Sequence, residues 1–238
     1  MTPLQKTRLE KAAADSGFEL TPVEVDGGLV LRSAQFSESV TVFLNGDGFC
    51  LEASTVGLLP ADNPDSTSLE VRDYAGLYHA IGIAAAIARS WPTRLTDRVA
   101  RETASLPRAT EAERLIVQRV GQALFRNALV SYWGGKCCVS GLSVEPLLRA
   151  SHIRPWAECE LDGERLDVFN GLLLGPNLDA LFDGGWITFD ESGGVRISVG
   201  LNVEQQKLLG VGPRIRLTRV DERHQRYLDY HRRHVFRG

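Results

Sequence analysis

Three short stretches indicate the secondary structure of the second half of the chain. They are ASHIRPW at residues 150–156, NGLLLGPN at residues 170–177 and DALFD at residues 179–183. The first two have the composition of short strands, and Pro176 is typical of the first position of a helix. We therefore predict two short strands, joined by a loop and followed by a helix. On that helix Asp179 and Asp183 are four residues apart and face the same way.

The same stretches carry side chains suited to the hydrolysis of a phosphodiester. A single-metal site for this reaction needs a base that deprotonates water, oxygen ligands for a hard divalent cation and a group that orients the base. His152, Asn170 and the two carboxylates supply these groups, and we predict that they share one face. A lone histidine is usually structural. Asp183 alternatively helps to end the helix before Gly184.

These stretches resemble the HNH nuclease family, whose ββα-metal fold cuts nucleic acid with a divalent metal. The spacing of nine residues from Asn170 to Asp179 matches the family. The resemblance extends upstream through RVGQALFR at residues 119–126, Tyr132 and CVSG at residues 138–141, a lead-in typical of bacterial HNH proteins associated with restriction of foreign DNA. It implies that His152 is the general base, that Asn170 orients it, and that Asp179 and Asp183 bind the metal.

Two positions depart from the family pattern. Asp179 stands where the family has histidine, and Ser151 precedes the base where relatives often have aspartate or histidine. Carboxylate ligands favour Mg²⁺, or Mn²⁺, over zinc or nickel. The four cysteines contain no CxxC pair, which argues against a structural zinc site.

Three arginines near these motifs are candidates for binding nucleic acid. Arg154 lies two residues after the base, where it could clamp a phosphate, although a solvated surface position is equally consistent with the sequence. Arg119 and Arg126 lie on one stripe of a predicted long helix, where they contact the DNA backbone or make structural hydrogen bonds. An arginine-rich segment at residues 213–238 indicates either a polyanion partner or a salt-bridged terminal helix.

The fold class that we predict is α+β, with two domains of residues 1–107 and 108–238. In the first we expect a helix at residues 4–14, an antiparallel sheet with strands at residues 18–25, 29–33, 39–44 and 49–53, and a helix at residues 74–90. Residues 60–68 have the composition of a loop, and residues 94–109 that of a linker or connecting helix. A long helix capped by Thr110 and ending near Tyr132 opens the second domain.

Composition and charge limit the possible function classes. The chain has 238 residues, of which 43% are hydrophobic and 24% charged, as in an ordinary globular protein. It contains no apolar run long enough for a membrane helix, and its first residues lack the apolar core of a signal peptide, so we predict a cytoplasmic protein without membrane contact. Residues 1–106 carry 9 basic and 14 acidic side chains, whereas residues 107–238 carry 18 and 16, which favours nucleic-acid contact by the second half.

These observations give three functional hypotheses. The first is a metal-dependent endonuclease that hydrolyses DNA and acts in restriction or defence, its first domain selecting the target. With one site per chain, cutting both strands requires a homodimer or two successive nicks. The second hypothesis is a DNA-binding or sensor protein that keeps the HNH fold but has weak metal binding and little turnover. The third is an effector whose first domain binds a partner and releases the nuclease.

Overall fold

The computed structural model describes residues 1–61, 65–105 and 111–238, with the backbone alone at residues 111–114. These residues form two compact units, Met1–Arg89 and Ser90–Gly238. The domain boundary predicted at residue 107 lies outside the described residues, as does the helix cap predicted at Thr110. Helices and strands occur in both units, so the class is α+β.

The first unit is an antiparallel sheet with two helices. Its elements are α1 (Pro3–Ser16), β1 (Leu20–Val25), β2 (Gly28–Arg32), β3 (Val40–Asn45), β4 (Gly48–Ala53), β5 (Ser68–Val71) and α2 (Tyr74–Arg89). The strands are neighbours in chain order, which confirms the four predicted strands and both helices. The short edge strand β5 was not predicted. It has only four residues, and it follows a stretch rich in Pro, Asp and Ser that has the composition of a loop.

Alternation along the strands explains the core of this unit. Leu29 and Leu31 on β2 are buried, as are Val40 and Val42 on β3 and Phe49 and Leu51 on β4. Successive strand residues point to opposite faces, so these side chains share one face of the sheet. The helix α2 is rich in alanine and isoleucine and is buried along most of its length, as is expected of a helix that contributes to the core.

The second unit contains six helices and two antiparallel hairpins within the described residues. Its helices are α3 (Pro92–Glu102), α4 (Glu111–Tyr132), α5 (Asp162–Leu166), α6 (Pro176–Asp183), α7 (Val203–Leu208) and α8 (Glu222–His234). The strands are β6 (Arg149–His152) and β7 (Gly171–Leu174) in one hairpin, and β8 (Ile187–Phe189) and β9 (Val195–Ile197) in the other. The predicted order of two strands and a helix is therefore confirmed as β6, β7 and α6.

The hairpin of β6 and β7 places alternate residues toward different helices. His152 pairs with Gly171 across the hairpin, and Ser151 pairs with Leu172. A Cβ atom at Gly171 would lie 2.6 Å from Phe125 Cζ and 2.7 Å from Leu129 Cδ1, both on α4. The face that carries His152 and Gly171 therefore packs against α4, and it does so at a distance that only glycine permits.

Substituting Gly171 by alanine is expected to lower the free energy of unfolding of the second unit by about 1–3 kcal/mol, because the added methyl group overpacks this contact. Urea unfolding followed by tryptophan fluorescence measures this, since all four tryptophans lie in this unit. Gly163→Ala on α5 is the matched control, because a Cβ there meets nothing within 4 Å. Equal unfolding midpoints for the two variants would contradict the close packing of Gly171.

In the part of the chain that the structure describes, every helix is too short or too polar to cross a membrane.

Candidate active site

The second unit places the predicted base at the end of β6, where its ring is held on three sides. The His152 ring stacks on Phe125 of α4, with 3.9 Å between ring centroids and 15° between the planes. Trp156 meets it edge-on at 5.4 Å. The third contact is a hydrogen bond of 2.9 Å between His152 Nε2 and the backbone carbonyl of Arg165.

This hydrogen bond determines which ring nitrogen can act as a base. A carbonyl oxygen only accepts hydrogen bonds, so Nε2 carries the proton and donates it, and Nδ1 of the neutral ring keeps its lone pair. Nδ1 has no hydrogen-bond partner among the described residues. Burial lowers the pKa of His152, and the bond to the Arg165 carbonyl offsets this only in part. The imidazole is therefore neutral near pH 7 and has one nitrogen available to take a proton.

Asn170 is completely buried and joins the two backbone segments that surround His152. Its Oδ1 accepts from the backbone N–H of Arg154 at 2.7 Å, and its Nδ2 donates to the carbonyl of Glu164 at 3.0 Å. It has no direct contact with the imidazole among the described hydrogen bonds. Glu164 directly precedes Arg165, whose carbonyl accepts from His152, so Asn170 is connected to the ring only through the backbone.

The two carboxylates lie on the other side of the hairpin. Asp179 is half-buried and Asp183 is exposed, both on α6. The pKa of Asp179 is raised, mainly by burial and to a smaller extent by the nearby Asp183 carboxylate. The Ser151 hydroxyl and Arg149 oppose this shift. Ser151 therefore faces α6, whereas its neighbour His152 faces α4. We predicted one shared face for the histidine, the amide and the carboxylates; Ser151 and His152 are neighbours on β6, so their own side chains point to opposite faces of the strand.

Ser151, which departs from the family pattern, lies beside the predicted ligand Asp179. Its hydroxyl is buried beside Asp179, but no hydrogen bond of normal distance and angle reaches it. A buried polar atom without a partner costs about 1–3 kcal/mol, so such atoms often mark a ligand site. A hydroxyl and two carboxylates form an all-oxygen donor set, which suits a hard divalent cation. These residues therefore fit a metal ion of the predicted kind.

The described residues contain no group of three or more His, Cys, Asp or Glu side chains placed to hold a metal ion. Asp179 and Asp183 would thus supply only two charged ligands. The remaining positions around a cation would fall to the Ser151 hydroxyl, water or a phosphate oxygen of the substrate, which is common for Mg²⁺.

The three predicted nucleic-acid contacts have different surroundings. Arg126 donates to the backbone carbonyls of Leu148 and Glu145, at 2.6 and 3.0 Å, and so holds the loop before β6. Arg154 forms ion pairs with Glu160 and Glu164 at 3.3 and 3.4 Å. Arg119 is exposed on α4 and has no partner among the described residues. Arg119 is thus free to meet a phosphate, whereas Arg126 and Arg154 already have partners within the unit.

Three residues that hold the His152 ring were not predicted to do so, and two of them lie outside the stretch at residues 150–156. Phe125 lies on α4 and Arg165 at the end of α5, 27 and 13 positions from the histidine. Phe125 belongs to the RVGQALFR motif, so the sequence indicated that it is a residue of the family pattern. Nothing in the motif indicated that it stacks on His152. Arg165 acts through its backbone carbonyl, which every residue has, so no side-chain pattern could have indicated it.

The part of the second unit that contains β6, β7 and α6 is similar to a known protein family. Residues 137–190 match the model of a family described as HNH endonuclease. The match includes β6, β7 and α6 with His152, Asn170, Asp179 and Asp183, and it covers less than a quarter of the chain. The chain therefore carries an HNH endonuclease domain within its second unit. No curated protein is similar enough to the chain to count as a match.

Proposed function

We propose that this protein is a metal-dependent endonuclease that hydrolyses phosphodiester bonds of DNA. The observation that carries the proposal is the free Nδ1 of His152 within a segment that matches HNH endonucleases. A buried, neutral imidazole oriented by a backbone carbonyl is a suitable general base, since its pKa keeps it unprotonated at neutral pH.

In the proposed reaction His152 Nδ1 removes a proton from a water molecule, and the water oxygen forms a bond to the phosphorus. The bond from phosphorus to one sugar oxygen breaks, and that oxygen leaves and gains a proton from solvent. Asn170 and the Arg165 carbonyl keep the imidazole in its orientation throughout. A divalent cation, when bound, stabilises the negative charge that develops on the phosphate and on the leaving oxygen.

Asp179, Asp183 and Ser151 are the residues that we propose hold this cation. They lie on the α6 side of the hairpin, and His152 follows Ser151 directly in the chain. A phosphodiester at the end of β6 would thus have the base on one side and the cation ligands on the other. Oxygen ligands favour Mg²⁺, with Mn²⁺ as the next choice.

We further propose a role in restriction or defence against foreign DNA. The RVGQALFR lead-in on α4 supports this, since it resembles that of restriction-associated HNH proteins. In that role the first unit would select the target or regulate cleavage, and a homodimer or two successive nicks would cut both strands.

The test is cleavage of supercoiled plasmid by the purified protein in Mg²⁺, Mn²⁺, Zn²⁺ or EDTA, with unmodified and modified DNA. Asp179→Asn removes a charged ligand, so we expect the Mg²⁺ concentration for half-maximal cleavage to rise at least about tenfold. Asp47→Asn, an exposed aspartate in the turn between β3 and β4, is the matched control and should behave like the unchanged protein. Cleavage that persists in EDTA would contradict the metal-dependent mechanism.

The alternative function is a DNA-binding or sensor protein with weak catalysis. The absence of a third charged metal ligand among the described residues favours it. DNA binding without cleavage under every metal condition would support this alternative and exclude the nuclease.

A further inference from the structure

A groove lined by arginines lies in the second unit, beside the segment that matches HNH endonucleases. Its volume is about 720 Å³, and we call it the arginine groove. Residues 214–220 form one wall, and the turn at Glu191 and Ser192 adjoins them. Val139, Ser140 and Leu178 also line it, and all three belong to the segment that matches HNH endonucleases.

The backbone of residues 215–218 is held beside the second hairpin, directly after a turn at Pro213 and Arg214. The Ile215 carbonyl accepts from the N–H of Val195 at 3.0 Å, and the N–H of Leu217 donates to the Gly193 carbonyl at 2.9 Å. The N–H of Thr218 donates to the Cys138 carbonyl at 2.8 Å. Leu217 is buried, whereas Arg214 in the turn and Arg216 and Thr218 after it are exposed.

The charge in this groove is largely free to meet an anion. Arg214 has no partner among the described residues, and Arg216 makes a single hydrogen bond, to the Ser192 carbonyl at 3.0 Å. Glu191 is the acidic residue of the lining, and it forms an ion pair with Arg232 at 3.5 Å. Arg219 is held over the rings of Tyr132 and Trp133, at 4.0 and 4.7 Å from their centroids. The lining therefore holds three arginines and one carboxylate, and neither Arg214 nor Arg216 forms an ion pair with a carboxylate among the described residues.

The position of the groove connects it to the proposed site. Leu178 lines it and directly precedes Asp179 on α6, so one helix borders both surfaces. Arg214 and Arg216 are two positions apart in the chain, and both line the groove.

We infer that the arginine groove binds backbone phosphates of DNA next to the bond that is cut, with Arg214 and Arg216 as the phosphate contacts. The inference rests on the proposed function, because it assigns the groove to the same substrate. Phosphate contacts position a nucleic acid without reading its sequence. The groove would therefore contribute affinity and salt dependence, whereas target choice would come from elsewhere in the chain.

Equilibrium binding of a fluorescein-labelled DNA duplex in EDTA, followed by fluorescence anisotropy over a range of salt concentrations, tests this. For Arg214→Ala with Arg216→Ala we expect the Kd to rise about tenfold or more, and the slope of log K against log salt to become shallower by about 2, since each lost phosphate contact contributes about 0.9. Arg214→Lys with Arg216→Lys keeps both charges and should keep the slope. Arg72→Ala with Arg101→Ala is the matched control, since both arginines are exposed elsewhere and the charge change is the same.

The outcomes separate this inference from the proposed function. If the unchanged protein cuts DNA and the alanine pair alters neither the salt slope nor the KM for cleavage, the groove assignment is wrong and the nuclease stands. If the protein binds DNA through the groove but cuts under no condition, the nuclease is wrong and the groove stands. Tighter binding to RNA than to duplex DNA, or an equal loss of affinity in the Arg72 and Arg101 control, would overturn the inference.

Discussion

Replacing His152 by alanine is expected to lower the rate of DNA cleavage by about 10²–10⁴-fold, which is the usual contribution of a positioned general base. The free Nδ1 is the group that is lost, and no other described histidine lies in the segment that matches HNH endonucleases. The measurement is the initial rate of plasmid nicking at saturating Mg²⁺. His234→Ala is the matched control, because that histidine is exposed on α8 and should leave the rate unchanged.

The alanine variant also loses the ring that stacks on Phe125, so a second variant separates catalysis from folding. The amide of His152→Gln can still donate to the Arg165 carbonyl, but it cannot take a proton near pH 7. We expect this variant to unfold close to the midpoint of the unchanged protein and to cleave as slowly as the alanine variant. A folded glutamine variant with more than about a tenth of the original rate would show that His152 is not the base.

Acid is expected to destabilise the second unit through two buried histidines of α8. The His231 ring stacks on Phe182 at 3.9 Å, with Nδ1 bonded to the Thr188 hydroxyl and Nε2 to the Phe182 carbonyl. Burial lowers the pKa of His231 to about 4, with a smaller effect from Arg232 in the same direction; the Phe182 carbonyl opposes it. His224 is completely enclosed near Tyr132, Trp133 and Phe169, and burial lowers its pKa as well.

The direction of the effect follows from which state binds the proton. An unfolded histidine has a pKa of about 6.5, so between pH 6.5 and 4 the unfolded chain takes up protons that the folded chain does not. Stability is therefore complete above about pH 6.5 and falls as the pH decreases toward 4. A pKa of about 4 for His231 corresponds to a loss of about 3 kcal/mol from this residue at the acid end of that range.

Urea unfolding between pH 7.5 and 4, followed by tryptophan fluorescence, measures this loss. His231→Gln cannot titrate, so its free energy of unfolding should depend less steeply on pH than that of the unchanged protein, even if it is lower at pH 7.5. His234→Gln, on the exposed side of the same helix, should keep the original slope. If all three proteins have the same pH dependence, His231 is not its cause.

The local structure of the proposed site could be predicted from the sequence because its signals are short-range. Strand composition, the proline at the start of α6 and the four-residue spacing of Asp179 and Asp183 depend only on neighbours in the chain. The family spacing then indicated which residues to consider. The partners of those residues were not predictable in the same way, since Phe125 and Arg165 reach His152 from α4 and α5.

The arginine-rich segment at residues 213–238 shows the same difference. Its composition indicated either a polyanion partner or a salt-bridged helix, and the structure shows which of its arginines have acidic partners among the described residues. Arg232 donates to the Phe189 carbonyl and pairs with acidic side chains, whereas Arg214 and Arg216 line a groove. Whether an arginine has a partner depends on segments that are remote in the sequence but close in the fold. Amino-acid composition does not indicate which segments these are.

By itself, the sequence determined the β6, β7 and α6 elements and the resemblance to HNH nucleases, because strand alternation, helix periodicity and motif spacing are local properties of the chain. Only the tertiary structure decided that His152 has a free Nδ1, that Ser151 faces Asp179 and that Asn170 acts through the backbone around the base. These depend on burial and on hydrogen bonds between residues far apart in the chain, which form only when α4, α5 and α6 pack around the hairpin.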